Sequence, residues 1–218
     1  RGVEVGVQAR LIERKEWSWD LGATFSYNHN RILATGAEND GDVFGNSTGE
    51  WFGRDVVVNV NRKGESVGAF YGYQSQGIVR ERHLLYTPPY NDTRLQEGDI
   101  KFIDKDGDGN VTEKDRTVIG NPNPSAYRAG GEPRLNAVGA DVVSSRFVEN
   151  GSYLRLSNVQ VSYRFDIGRK WLRSVDLAFT AKNLCVLTGY SGYSPMVGSY
   201  TYDLSRYGVD NGSYPLAR

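Results

Sequence analysis

The chain has 218 residues, 24% of them charged, 12% aromatic and 39% hydrophobic, with 26 Gly, 14 Tyr and a single Cys. Twenty-six basic against 26 acidic side chains leave no net charge, so composition offers no electrostatic case for nucleic acid or for an acidic partner. The lone Cys185 excludes an internal disulfide, no Cys/His cluster exists to hold zinc, and no apolar run approaches the length of a membrane helix.

The abundance of Gly and Tyr predicts strands and turns. Gly2 to Ile12 alternates, with Val3, Val5, Val7, Ala9 and Leu11 on one face and Glu4, Gln8 and Arg10 on the other. Trp17 to Tyr27 repeats the pattern, and the polar residues 13–16 between them predict a hairpin. Each strand is about ten residues long, enough to cross a bilayer at a tilt, and its apolar face bears no charge. Aromatics at both ends of the second strand suit an interfacial girdle. A soluble sheet with one buried face gives similar alternation over shorter strands, and periodicity by itself favours that commoner case.

Residues 28–54 are polar, Gly-rich and aperiodic. Asp55–Asn61 and Gly68–Val79 are short β-prone pieces, and residues 80–97 carry the loop onward, so 28–120 is expected to form one long loop region. Tyr71, Tyr73, Tyr86 and Tyr90 are candidates for stacking on sugar rings of a substrate. Packing within the loop is the more common use of such aromatics.

The loop region ends in GDIKFIDKDGDGNVTEKDRTVIG, residues 98–120. Asp104, Asp106 and Asp108 occupy positions 1, 3 and 5 of an EF-hand-type loop, with Gly109 at the sharp turn. Asn110 would offer its backbone carbonyl at position 7, and Asp115 stands at position 12, where the pattern has Glu. These five residues are the candidate ligands of a calcium ion. An Asp/Gly-rich turn that caps backbone amides, followed by a helical turn capped by Thr112 with Asp115 three residues on, accounts for the same residues.

Residues 120–145 do not alternate. Tyr153–Phe165 and Val175–Leu187 predict a second hairpin around a turn at Asp166–Ser174, with a bulge near Asn158 where the alternation changes parity. Residues 189–218 read as loop. No nucleophile elbow or phosphate-binding loop is present, and His29 and His83 stand isolated in polar segments. Asp99 and Asp104 could be drawn as a glycosidase pair, but carboxylates bunched in one turn are better explained by metal binding or capping. No enzymatic activity is expected.

Several blocks resemble the SusC/RagA-like family of TonB-dependent outer-membrane transporters. They are GAFYGYQSQGIV (68–79), GDIKFIDKDGDG followed by DRTVIGNPNP (98–124), RFVENGSYLRLSNVQVSYRF (146–165), YSGYSP (190–195) and the closing GVDNGSYPLAR, in the family's order. The resemblance implies the C-terminal part of an all-β transmembrane barrel built of antiparallel strands, with long extracellular loops, in the cell outer membrane. It implies import of oligosaccharides or peptides with a SusD-like surface lipoprotein, powered through TonB by a part of the family's proteins that precedes this region. A further strand pair is expected between the 121–124 and 146–165 blocks, so a segment missing near 121–146 is expected too. The start of the chain within a strand and the lack of a closing aromatic strand after Arg218 lead us to expect a partial barrel. The competing reading is a soluble, calcium-stabilised β-domain of an adhesin or a carbohydrate-binding module.

Overall fold

A computed structural model describes residues 1–14, 17–45, 50–51, 54–55, 57–79, 99–122, 125–128, 142–196 and 207–210. They form strands and three short 3-10 turns, and no helix among them is long and apolar enough to cross a membrane. The chain divides into two compact units, one of residues 1–29, 153–188 and 218, the other of residues 30–152 and 189–217.

The first unit is a four-stranded antiparallel sheet. In spatial order its strands are Gly2–Glu13, Trp17–Asn28, Tyr153–Arg169 and Leu172–Thr188. Both expected hairpins are present, and cross-strand register follows the alternation. Val3 faces Tyr27, Val5 faces Phe25 and Val7 faces Ala23, while Val161 faces Phe179 and Tyr163 faces both Leu177 and Trp17. The other face carries cross-strand ion pairs. Arg10 Nε donates to Asp20 at 2.8 Å, and Arg164 donates twice to Asp176, at 2.6 and 3.1 Å. The apolar face is bare, with Phe25 62%, Val161 59% and Phe179 70% exposed.

Near Asn158 the register shifts, but the bulge lies on the partner strand and not on the strand where the change of parity predicted it, so Leu154 and Leu156 stay on the side of Gln160. Between the pairs Leu156–Cys185 and Asn158–Lys182 the extra residue belongs to the Leu172–Thr188 strand, and Asn183 absorbs it at φ 54°. Asn is among the few non-glycine residues that enter this region cheaply. Arg155 donates to the Asn183 side chain. The turn expected over Asp166–Ser174 is much shorter in the structure. Both strands run on to an Arg169–Leu172 pair, leaving Lys170 and Trp171 at the tip. Gly168 at φ 68° allows a bulge there, so the strands continue where the polar composition suggested they stop.

The second unit holds most of the region expected to be loop, and it has its own core. Thr117–Gly120, Ala69–Gly72, Asn59–Asn61 and Val43–Phe44 form one antiparallel sheet in that order. Ser75–Ile78 pairs with Ile100–Phe102, and Ser125–Arg128 lies between Val148–Asn150 and Val209–Asp210. One cluster of buried side chains unites Tyr73, Val79, Ile100, Phe102, Val111 and Val142. Another unites Val58, Phe70, Val143, Phe147 and Val209. Chain segments cross closely at Gly72, where an added Cβ would come within 3.0 Å of the Val143 carbonyl oxygen. That approach lets Tyr73 N–H donate to Val143 O at 2.8 Å and Ser145 N–H donate to Tyr73 O at 2.9 Å.

Candidate functional site

The Asp-rich loop hangs between two buried anchors. Ile100 and Phe102 are held in the core, Ile103 N–H donates to Gln74 O at 2.9 Å, and the chain returns to the core at Val111. The span between Phe102 and Val111 has no apolar side chain to bury after Ile103, so its carboxylates and glycines stay outside.

Within the loop each carboxylate accepts from the backbone. Asp104 takes the N–H of Gly107 at 2.7 Å and of Gly109 at 2.8 Å, one on each oxygen. Asp106 Oδ1 takes Asp108 N–H at 3.2 Å, and Asp108 Oδ1 takes Asn110 N–H at 2.7 Å. Gly107 and Gly109 have φ of 75° and 87°, the left-handed region these tight turns require. The result gathers Asp104, Asp106 and Asp108 so that one oxygen from each lies within 4.8 Å of the others. No Lys or Arg is paired with them among the described residues: Lys105 Nζ donates instead to Thr117 Oγ1 at 2.9 Å. Three like charges at this separation repel unless a cation joins them, and oxygen donors are what a hard divalent cation takes. The trio therefore fits such an ion.

Asp115 stands outside this trio. Only 2% exposed, it accepts from Lys105 N–H at 2.8 Å and Asp106 N–H at 3.4 Å on one oxygen, and from Thr112 N–H at 2.6 Å on the other. The Thr112 hydroxyl adds a bond at 3.3 Å, and Thr112 Oγ1 accepts from Lys114 N–H, completing a capping box at the 3-10 turn Glu113–Asp115. Burial pushes the Asp115 carboxyl up, but these donors outweigh it and hold the group below the ordinary value. Asp115 thus ties the two ends of the loop together. Asn110 enters the loop through its N–H.

The candidate tyrosines separate. Tyr73 is 0% exposed, its ring 5.6 Å from that of Phe102 and its hydroxyl donating to Glu113 at 3.2 Å, so it packs the core and offers no face to a sugar. Tyr71 is half-buried, with the Arg116 guanidinium 4.7 Å from its ring centre and Phe44 at 5.2 Å. Tyr86 and Tyr90 lie outside the described residues. Asp99 is buried, one residue before the Ile100–Phe102 strand.

Two features escaped the sequence reading. Arg116 donates to the carbonyls of Val57 at 2.6 Å and Tyr71 at 3.1 Å and to Glu113 at 3.2 Å, joining the capped turn to the four-stranded sheet of its unit. Ser191 donates to Glu149 at 2.6 Å and accepts from Arg128, while Tyr190 donates to Asp210 at 2.5 Å. Burial, then the bond to Asp210, pushes the Tyr190 phenol far up, so it stays protonated. The YSGYSP block carried a signal for this network, but the partners are distant in sequence.

No family model matches the chain. Among curated proteins it is similar to TonB-dependent receptor P3 of Formosa agariphila, 25% identical over 278 residues, covering all of this chain and 27% of that protein. It is similar to TonB-dependent receptor SusC of Bacteroides thetaiotaomicron, 21% identical over 262 residues, covering 99% of this chain and 25% of that protein. Among solved structures it resembles the RagAB peptide transporter with a TM-score of 0.60 at 16% identity, covering 98% of this chain and 28% of that one. The open-open state of the RagAB peptide importer matches with a TM-score of 0.52 at 17% identity, covering 98% of this chain and 27% of that one. The chain spans about a quarter of the length of the curated relatives it matches. Its likeness to the SusC/RagA-like TonB-dependent receptors runs its whole length, in sequence and in fold.

Proposed function

We propose that this chain forms part of the wall and the extracellular loops of a TonB-dependent outer-membrane barrel that imports oligosaccharides or peptides together with a SusD-like surface lipoprotein. The observation that carries the reading is the four-stranded sheet of the first unit. Its strands are 12, 12, 17 and 17 residues long, its apolar face is bare and carries no charge from Val159 to Ile167, from Val175 to Ala181 or across the first hairpin, and its ion pairs lie on the opposite face. Such a face left in water would be an aggregation site, whereas against hydrocarbon it is at home. The polar face then lines the lumen. Coupling to TonB belongs to parts of the protein outside this chain, and the work is binding and gated passage without a chemical step.

Spin labels placed singly at Val161, Phe179, Gln160 and Thr180 of the intact protein test this. Val161 pairs with Phe179 and Gln160 with Thr180, so the two pairs report opposite faces. The expected result is oxygen accessibility at the first pair and access to a water-soluble nickel chelate at the second. Low access of oxygen and of the chelate alike at Val161 and Phe179 would mean that protein covers that face, and the soluble β-domain would stand in its place. For the transport step, TonB-dependent accumulation of labelled oligosaccharides or peptides is expected, and accumulation unaffected by loss of TonB would overturn it.

In the same reading a calcium ion braces the extracellular loop, held by Asp104, Asp106 and Asp108, with the Asn110 carbonyl as a further donor. Asp115 was expected to complete that set; it lies outside the gathered trio and accepts from three backbone N–H groups, which supports a role in fixing the loop's ends. Calcium would neutralise the gathered carboxylates. The intact protein should retain calcium through dialysis and lose it in the Asp106→Asn/Asp108→Asn variant, with chelation speeding proteolysis between residues 104 and 111. No calcium in the dialysed protein, and no change on chelation, would overturn the assignment.

A further inference from the structure

The tip of the second hairpin is a compact cationic and aromatic projection. Arg169, Lys170 and Arg173 lie within five residues and all are exposed. None makes an ion pair or hydrogen bond through its side chain among the described residues. The carboxylates nearby do not balance them: Asp176 is engaged by Arg164, and Asp166 alone stands within the tip. Between the cations Trp171 projects at 77% exposure. The Gly168 bulge and the two-residue turn hold the three cations at one level at the end of paired strands, Arg173 on the side of the apolar face, Arg169 on the other and Lys170 in the turn.

We infer that this hairpin tip is a docking site for the headgroups of anionic phospholipids. The inference rests on the membrane-barrel reading above. Three unpaired cations against one carboxylate provide the charge complementarity. Trp171 provides the side chain that settles where headgroups meet acyl chains, its ring in the apolar region and its N–H toward water. The apolar face leading to it, through Val161, Tyr163, Phe165 and Ile167, ends at this level, so the cations meet the bilayer at its polar boundary. Clustered basic side chains at such a boundary attract anionic lipids, and the attraction weakens with salt. Anionic headgroups would gather at the tip and fix the depth at which this hairpin sits.

The test uses the intact protein in phosphatidylcholine bilayers containing either spin-labelled phosphatidylglycerol or spin-labelled phosphatidylcholine. The motionally restricted lipid fraction reports a lipid-facing wall, and the ratio between the two labels reports headgroup preference. A preference of about threefold for phosphatidylglycerol is expected, falling with added salt and largely lost in the R169Q/K170Q/R173Q variant at an unchanged restricted fraction. If the variant loses that fraction, Lys170→Gln alone, at an exposed turn position, should still lower the preference. Equal preference in wild type and variants overturns the headgroup site while leaving the barrel standing. Absence of restricted lipid in the wild type overturns both.

Discussion

Asp115 shows how one carboxylate settles into a place that two readings claim. The sequence placed it both as the last metal ligand and as the partner of Thr112 in a capped turn, and spacing alone could not separate them. Burial and three backbone donors give it the second place. Its carboxyl is held below the ordinary value, so its ionised form contributes stability that is fully present above the unfolded pKa of about 4 and is lost as pH falls through the lower folded value. Protection of the Lys105 and Thr112 amides against hydrogen exchange in the intact protein should therefore hold from neutrality down to about pH 4 and weaken below it. Asp115→Asn removes an acceptor from buried donors and should cost about 1–3 kcal/mol of that local protection. Tyr73 is a second case, since nothing in its sequence neighbourhood distinguishes it from Tyr71. Only the long-range packing on Phe102 shows that one ring is core and the other half-buried.

At the level of elements, the hairpins were legible because alternation with period two is a local signal, and register follows once one face is apolar. The change of parity near Asn158 marked the level of the register shift but not its strand, because the extra residue sits on the partner strand at Asn183 while Leu154 and Leu156 keep their face. The hairpin tip was not, because Asp166 to Ser174 is polar enough to resemble a loop while its backbone continues to pair. The close crossing at Gly72 left no mark in sequence either, since it depends on Val143 some seventy residues on. Gly72→Ala forces the Val143 carbonyl away and weakens the bonds between Tyr73 and Val143 and between Ser145 and Tyr73. Limited proteolysis of the intact protein should show faster cleavage within residues 57–79 and 142–150 in this variant, while Gly36→Ala, where a Cβ meets nothing but φ is 74°, should act only locally.

For the whole molecule, residues 30–152 were the least readable because their strands are two to four residues long and their buried side chains come from segments far apart. Short strands carry too few alternations to register as a pattern. The first unit is the reverse case: nearly all of its fold was visible, and its use depends on what covers its apolar face. A charge on that face is the sharp test of bilayer contact. Phe179→Arg should lower the folding free energy of the intact protein in lipid vesicles by about 2–4 kcal/mol, read as loss of the heat-modifiable folded band. Thr180→Arg, one residue along on the other face, should fold close to normally.

The strand order of that first unit has a further result. Gly2–Glu13 and Leu172–Thr188 stand at its two margins, and each pairs on one side only among the described residues. Each margin therefore presents a row of backbone donors and acceptors to whatever approaches, and hydrocarbon can satisfy none of them. Handled apart from other strands, the segment would have two sticky rails along which copies could zip edge to edge. Inside a bilayer the same rails are the places where neighbouring strands have to join.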